Sequence, residues 1–252
     1  MLTSYHNHTP LCNHATGSPR EYVLRAIEAG YTHFGFADHA PHCFVDASSK
    51  DRMSLWEFDG YVKEISNLKR EFSSYITIRT GIELEYFPTT HKRDMENYRR
   101  AGIEYIILGQ HLIGSGTPED HISSFKRTDS RDSYTKYVDR CIEALGSGDF
   151  NYFAHPDVFN YRIDEDFYCE ESERLIRAAI NHSIPLELNM YGLSDGRHYP
   201  YEPFWKIAAR LGAVAVLGRD AHSTERVFSE EENILALRFA DRMGIELKEI
   251  IL

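Results

Sequence analysis

The 252-residue chain is predicted to fold as an α/β barrel in which seven parallel strands alternate with helices. Two observations predict this class. Short β-branched and aromatic runs alternate with amphipathic segments of helical period, which indicates parallel strands joined by helical crossovers. Histidine and carboxylate residues recur at or just past the ends of those strands. A closed barrel gathers such side chains around one mouth, whereas an open doubly wound sheet concentrates them at one or two switch points.

The first strand–helix unit carries the clearest local signals. Leu2–His6 is the predicted strand, and the helix Pro19–Ala29 follows it. Ser18 is an N-cap residue, proline suits the first helical position, and Gly30 suits the end of the helix. Phe34–Asp38 is then predicted to be the second strand.

The same unit repeats along the rest of the chain. A second helix, Trp56–Phe72, is predicted from the helical spacing of Leu55, Phe58, Val62, Ile65 and Leu68, and the β-branched run Ile76–Ile78 leads on to Glu83. The remaining strands are predicted at Tyr105–Gly109, Tyr152–His155, Pro185–Asn189 and Ala213–Gly218. The remaining helices are predicted at Lys92–Ala101, Ser133–Leu145, Glu170–Asn181, Tyr201–Leu211 and Glu230–Met243.

Two connections are longer and more polar than an ordinary strand-to-helix loop, Pro41–Ser54 and Gly114–Asp132. Long loops at the active face of a barrel commonly cover the site, so we predict that both are lids. The sequence contains no linker and no low-complexity segment. We therefore expect residues 1–252 to form a single domain.

Composition excludes several classes of partner. The formal net charge is −11, and no basic run occurs, which disfavours nucleic acid because phosphate backbones are held by clustered Lys and Arg. No apolar run approaches the length of a membrane span, and a motif begins by residue six, which leaves no room for a signal peptide. The cysteines Cys12, Cys43, Cys141 and Cys169 have no CxxC or framework spacing, so we expect free thiols and a cytoplasmic location.

Candidate metal ligands are the most informative feature of the sequence. They share imidazole or carboxylate chemistry and a place at a predicted strand end: His6, His8, His14, His39, Glu83, His111, His155, Asp220 and His222. Imidazole nitrogen and carboxylate oxygen bind zinc, iron(II) and manganese(II), and a pair at i, i+2 points to one side of a strand. A single histidine at a strand end is more often a packed or solvated residue. The combination predicts a polynuclear metal hydrolase.

The flanking residues resemble the polymerase and histidinol phosphatase (PHP) superfamily across nearly the full length. The matching segments are His6-Asn7-His8-Thr9, His14, Asp38-His39, Gly81-Ile82-Glu83, His111, Ala154-His155-Pro156 and Asp220-Ala221-His222-Ser223. Within that superfamily the sequence is most similar to the monofunctional histidinol-phosphate phosphatases. The resemblance implies a distorted seven-stranded TIM-like barrel that holds three divalent ions, with the metal site at the C-terminal ends of the strands.

The resemblance also implies which residues hold each ion. The first ion would take His6, His8, Glu83 and Asp220; the second would take Glu83, His111 and His155; the third would take His14, His39 and His222. Glu83 would bridge two ions, and a hydroxide held between them would attack phosphorus. Bridging by one carboxylate agrees with the general chemistry, because two cations about 3.5–4 Å apart polarise one water together. Zinc, iron and manganese all stay open for this donor set.

Substrate contacts are predicted on loops beyond the strand ends. Arg162 and Arg197 are expected to clamp phosphate, since a guanidinium matches two phosphate oxygens. His42 and His198 are candidates for the general acid, besides the catalytic Glu83 and Asp220. Two positions, Gln110 and Arg219, depart from the pattern of the family. Arg219 either points outward to pair with a helix carboxylate or alters the substrate pocket, because adjacent strand residues face opposite sides.

The function predicted from the sequence is a metal-dependent phosphomonoesterase that acts on a small phosphorylated metabolite, L-histidinol phosphate, in histidine biosynthesis. Three alternatives stay open. They are a PHP-family phosphoesterase for another small phosphate ester, an amidohydrolase-like C–N hydrolase with a similar barrel and metals, and a noncatalytic metal-binding module. The complete set of candidate ligands argues against the last.

Overall fold

A computed structural model describes residues 2–42, 51–114 and 122–252. Within them, eight parallel strands form one curled sheet in the order β1-β2-β3-β4-β7-β8-β9-β10, and β5 and β6 form a separate antiparallel pair. The strands are β1 Thr3–Ser4, β2 His33–His39, β3 Thr77–Leu84, β4 Tyr105–Leu108, β5 Leu112–Ile113, β6 Ile122–Ser123, β7 Tyr152–Phe153, β8 Leu186–Asn189, β9 Val214–Gly218 and β10 Glu246–Leu247. This confirms the predicted distorted barrel.

Helices connect successive strands on the outside of the sheet. Their bounds are α1 Pro19–Glu28, α2 Phe58–Glu71, α3 His91–Ala101, α4 Arg131–Ser147, α5 Glu165–Asn181, α6 Met190–Ser194, α7 Glu202–Leu211 and α8 Glu230–Met243. Ser18 caps α1 by accepting a hydrogen bond from Glu21 N, and the side chain of Glu21 accepts one from Ser18 N. This reciprocal pair satisfies two of the otherwise free N–H groups, as the sequence predicts for Ser18 and Pro19.

The barrel closes at its upper end beyond the regular ladders. Asn7 forms a parallel bridge with Ala221, through His8 N→Ala221 O at 2.9 Å and Ala221 N→His6 O at 3.3 Å. At the opposite end β10 pairs with β9 from Val214. The residues that follow β1 and β9 therefore meet at the mouth. The short strand β10, which the sequence does not predict, lies at the lower end of β9.

The floor of the barrel is packed with apolar and aromatic side chains. Tyr5, Tyr105 and Tyr152 are buried there with Val216, and Tyr105 Oη donates to Tyr5 O at 2.6 Å. Gly81 makes room for this ring, since a Cβ at that position would lie 2.3 Å from Tyr105 Cζ. Each ring buried in this way contributes about 1.5–3 kcal/mol. The floor seals the lower end and leaves the upper strand ends to hold the polar residues.

Several predictions fall outside the described residues. Cys43 and parts of both predicted lids belong to residues 43–50 and 115–121, so the lids stay predictions. The other three cysteines, Cys12, Cys141 and Cys169, are free thiols. Among the described residues, we find no helix with the length and apolarity that a membrane span requires.

Candidate metal centre

The nine candidate ligands converge at one end of the barrel. His39 ends β2, Glu83 lies near the end of β3, and the others lie in the segments that follow β1, β4, β7 and β9. They surround a cavity of about 310 Å³. Seven of them line it, namely His14, His39, Glu83, His111, His155, Asp220 and His222. His6 and His8 are fully buried beside it.

The first metal group contains His6, His8, Glu83 and Asp220. His8 Nε2 lies 3.1 Å from Asp220 Oδ1 and 3.6 Å from Glu83 Oε2. His6 Nε2 lies 3.5 Å from each of the same two oxygens. Ligands at about 2.0–2.1 Å from a tetrahedral ion are separated by roughly 3.3–3.4 Å. The distances from the two histidines to the two carboxylates, 3.1–3.6 Å, therefore lie close to the spacing of ligands around one ion.

The second metal group contains Glu83, His111 and His155. Glu83 Oε1 lies 2.7 Å from His155 Nε2 and 3.3 Å from His111 Nε2, and the two ring nitrogens are 3.2 Å apart. Glu83 thus directs Oε1 to this group and Oε2 to the first. That arrangement is the one a bridging carboxylate requires.

The third metal group contains His14, His39 and His222. One ring nitrogen from each lies within 4.8 Å of the others, and the His14 and His222 rings stack with centroids 4.6 Å apart. His39 also faces Glu83, because its Nδ1 lies 2.9 Å from Glu83 Oε2. His39 therefore brings the third group next to the carboxylate of Glu83.

Unsatisfied polar atoms at this end of the barrel fit bound cations. Among the described residues, His6 Nε2, His8 Nε2, His222 Nε2 and both carboxylate oxygens of Glu83 are buried without a hydrogen-bond partner. A buried polar group without a partner costs about 1–3 kcal/mol. Several such atoms facing one another are accounted for by ions that coordinate them, and the imidazole–carboxylate set suits divalent transition metals.

The pKa values of the candidate ligands shift in both directions. Burial lowers the pKa of His6, but the charges of Glu187, Asp220 and Glu83 outweigh it and raise that pKa to about 10. Burial raises the pKa of a carboxyl, but the charges of His111, His39 and His6 hold the pKa of Glu83 well below its usual range. Burial lowers the pKa of His222 to about 3, despite the opposing charge of Asp220. An ionised carboxylate and a neutral imidazole are the forms that coordinate a cation, so Glu83 and His222 are in that form at neutral pH, whereas coordination by His6 would release a proton.

Three buried carboxylates orient the ligand rings from behind. Glu187 Oε2 lies 2.7 Å from His6 Nδ1, Asp38 Oδ1 lies 3.4 Å from His8 Nδ1, and Glu85 Oε1 lies 3.1 Å from His111 Nδ1. Each contact uses Nδ1 and leaves Nε2 for the cavity. Such outer carboxylates fix the tautomer and raise ligand basicity. The sequence analysis assigns no such role to Glu85 or Glu187, and for Glu187 an acid inside an apolar strand, as in Leu186-Glu187-Leu188, is a signal in the sequence.

Two ligand residues adopt a left-handed backbone conformation. The φ angle is 74° at His155 and 51° at Asp220. A residue with a Cβ pays about 1–3 kcal/mol for this region, and such residues concentrate at functional sites. In both cases the turn comes directly after a strand, and the side chain faces Glu83 or the histidines of the first group. At both residues the unfavourable backbone conformation thus accompanies a side chain that is directed toward other candidate ligands.

The wall of the cavity beside the ligands is cationic and aromatic. Arg197 lines it with its guanidinium 4.1 Å from the centre of the Tyr191 ring, and Arg197 Nη1 donates to Tyr199 Oη at 3.0 Å. Phe125 stacks on the His111 ring at 5.6 Å. The structure therefore places Arg197 on the lining of the same cavity as the candidate metal ligands.

Arg162, which is predicted to be a phosphate clamp, is not among the described residues that line the cavity. Its guanidinium donates to the backbone carbonyls of Phe159, Tyr161 and His198 at 2.6–3.1 Å, and it lies 3.9 Å from the centre of the Tyr201 ring. These carbonyl oxygens accept hydrogen bonds from the two terminal guanidinium nitrogens that a phosphate would need. Arg162 instead ties together the segments after β7 and α6.

The two histidines predicted as general acids are also directed elsewhere. His42 Nε2 is bound to Glu85 Oε2 at 2.7 Å, and its side chain is fully buried outside the cavity lining. His198 Nε2 donates to Val158 O at 2.6 Å. Neither ring faces the metal groups, so the structure gives no support to proton transfer by either.

The two departures from the family pattern have structural explanations. Arg219 points away from the cavity; its Nε donates to Tyr31 Oη at 2.9 Å and its Nη1 lies 3.8 Å from Glu232 of α8. Gln110 accepts a hydrogen bond from Tyr86 N at 2.9 Å and donates to Leu112 O at 2.7 Å. Arg219 thus pairs outward with a helix carboxylate, and Gln110 joins the ends of β3 and β4.

A parallel α/β barrel with nine candidate metal ligands at its mouth is typical of a class of proteins that hold several metal ions. Residues 4–216 match the PHP domain, and the chain belongs to this family.

Similar proteins fall within the same group. A Deinococcus radiodurans protein named as a probable histidinol-phosphatase is 30% identical over 99% of this chain and 94% of its own. The histidinol-phosphatase of Bacillus subtilis is 37% identical over 32% of each chain. The crystal structure of histidinol phosphate phosphatase from Lactococcus lactis subsp. lactis, complexed with zinc, L-histidinol and phosphate, has the same fold, with a TM-score of 0.74, 22% identity and coverage of 97% of this chain and 94% of that one.

Proposed function

We propose that this chain is a metal-dependent phosphomonoesterase that hydrolyses L-histidinol phosphate to L-histidinol and inorganic phosphate. The observation that carries the proposal is Glu83, whose two oxygens face two separate groups of histidines in one cavity. The names of the full-length relatives supply the substrate. A single domain over residues 1–252 and a cytoplasmic location belong to the same proposal.

The residues of the cavity divide the work of binding and orientation. The ligand groups would hold up to three zinc, iron or manganese ions, which polarise water and stabilise developing negative charge when bound. Glu83 and Asp220 carry negative charge next to the histidines and would therefore favour the binding of cations at the strand ends. Arg197 presents its guanidinium on the wall of the same cavity and would bind phosphoryl oxygens. Tyr199, which accepts a hydrogen bond from Arg197, fixes that guanidinium.

The test is release of inorganic phosphate from a panel of substrates. Metal-free protein, reloaded separately with zinc, iron(II) or manganese(II), should hydrolyse histidinol phosphate faster than sugar phosphates or nucleotides and should not cleave amides. Activity without added ions in protein shown to be metal-free would overturn the metal requirement. Equal rates on all phosphate esters would favour a general phosphoesterase, and amide cleavage would favour a C–N hydrolase.

Replacing Arg197 with Ala should raise KM for the phosphate ester by about 10- to 100-fold, because a charged hydrogen bond to the anion is lost. The smaller effect should fall on kcat, since the metal groups remain. Arg226 offers a matched control: its guanidinium lies 4.2 Å from the centre of the same Tyr191 ring but does not line the cavity. Steady-state kinetics of both variants measure KM. Equal KM values would show that Arg197 does not bind the phosphate group.

A further inference from the structure

Arg52 occupies an unusual position between three ligand-bearing segments. Its side chain is only 6% exposed, although it lies beside the cavity. Its two terminal nitrogens donate to the two carboxylate oxygens of Glu85, each at 2.9 Å. Nη1 also donates to Ala40 O at 3.1 Å, and the backbone carbonyl of Arg52 accepts from Asn13 Nδ2 at 3.0 Å.

Every partner of Arg52 is adjacent to a metal ligand. Ala40 follows His39, and Asn13 precedes His14, so two contacts fix the backbone beside ligands of the third group. Glu85 fixes the second group, since its Oε1 lies 3.1 Å from His111 Nδ1. The first group has a different support, because His6 and His8 are held by Glu187 and Asp38. Asp38 also accepts a hydrogen bond from His39 N at 2.8 Å, so it is shared with the third group, whereas the contacts of Arg52 and Glu85 described here reach only the second and third groups.

Burial of the Arg52–Glu85 pair is poorly explained by stability alone. Removing two charges from water offsets most of their attraction, and apolar residues of similar volume often serve equally well. The bidentate geometry does fix the carboxylate in one plane, which in turn fixes the ring of His111. The main effect of the pair is therefore to orient His111, and its contribution to the free energy of folding is small.

We propose that Arg52, acting partly through Glu85, is a positioning residue for the second and third metal groups, so that ions at these two groups are lost together while the first group is retained. The proposal rests on the metal sites of the proposed function but not on its substrate. It assigns to the segment that follows residues 43–50 a direct role in assembling the centre.

The experiment is a titration of metal-free protein with cobalt(II), followed by its visible absorption and by metal analysis after dialysis. Arg52→Met should weaken binding at the second and third groups by about 10- to 100-fold, the usual effect of losing an outer support. One tightly bound equivalent should remain, and a further His8→Ala change should remove it. Arg52→Lys keeps the charge but loses the fork, so it should restore only part of the affinity.

Two additional variants separate positioning from general damage. The double variant Arg52→Met/Glu85→Gln removes both charges and avoids an unpaired buried carboxylate, and it should show the same selective loss. Arg162→Met deletes another arginine that donates to backbone carbonyls, but away from the cavity. It should lower thermal stability without changing the cobalt titration. Equal loss of cobalt from all three groups, or retention of the full metal content in Arg52→Met, would overturn the proposal. So would a loss of cobalt from both Arg52→Met and Arg162→Met in proportion to their loss of thermal stability.

The outcome is distinguishable from failure of the proposed function. The titration contains no substrate, so a wild-type protein that bound cobalt but did not hydrolyse histidinol phosphate would refute the function and leave this test valid. Conversely, an active Arg52→Met protein with its full metal content would refute the positioning role and leave the function intact.

Discussion

Replacing Glu83 with Gln should lower kcat for phosphate ester hydrolysis by about 10³-fold or more and remove at least one equivalent of metal. Glu83 Oε1 faces His111 and His155, and Glu83 Oε2 faces His6, His8 and His39. The amide of Gln has nearly the same shape but carries no charge, and its nitrogen is not a metal donor. One substitution thus removes a shared ligand from two groups and leaves the packing of β3 unchanged.

The metal content of the purified variant is the measurement that separates this explanation from others. Glu64→Gln is a suitable control, because this substitution makes the same chemical change at an exposed residue of α2 that does not line the cavity. The control should keep wild-type kcat and metal content. A Glu83→Gln protein with near-normal turnover would refute the bridging role, and one that lost activity with its full metal content would move Glu83 from metal binding to another part of the reaction.

The sequence predicted the elements well where local signals and burial agree. The helix Glu230–Met243 has the predicted bounds, and α1 begins at Pro19 behind its Ser18 cap. The predicted strand Leu2–His6 shortens to Thr3–Ser4, because its continuation leaves the ladder and bridges to Ala221 at the mouth. The two-residue strand Glu246–Leu247 was missed, since so short a pairing leaves no periodic pattern and depends on β9 being beside it.

The convergence of the candidate ligands could be predicted because strand direction decides where they lie. Parallel strands place all their C-terminal ends at one edge, so residues such as Glu83 and His155 must meet whatever the details of the loops. Loop side chains lack that constraint. Arg162 turns to nearby carbonyl oxygens and His42 turns to Glu85, and both directions follow from contacts across the fold rather than from the neighbouring residues. The same reason hides Arg52, whose partners are 12 to 39 positions away.

The second large effect is expected at Gly109, which lies between β4 and the ligand His111. A Cβ built on Gly109 would lie 2.0 Å from Glu83 Oε1 and 2.5 Å from Glu83 Cγ. The backbone of Gly109 does not adopt a positive φ, so alanine meets a purely steric obstacle. The least costly response is for the carboxylate of Glu83 to move away from His111 and His155, because β3 and β4 are held together by their ladder.

Gly109→Ala should therefore remove metal from the first two groups and lower kcat by about 10²–10³-fold, through displacement of a charged group by more than the tolerance of a preorganised site. The free energy of unfolding of the metal-free protein should fall by only about 1–3 kcal/mol, the usual range for overpacking. Metal analysis, kinetics and chemical denaturation of the metal-free variant measure the three quantities.

Gly60→Ala provides the matched control for this methyl group. Gly60 lies within α2, and a Cβ there would meet no atom within 4 Å. Alanine in a helix interior stabilises the fold by roughly 0.5–1 kcal/mol relative to glycine, so this variant should gain stability and keep its metals. If Gly109→Ala retained full metal content and turnover, the close approach of Gly109 to Glu83 would have no functional consequence. If it unfolded the metal-free protein outright, the obstacle would be the strand pair itself and not the freedom of the carboxylate.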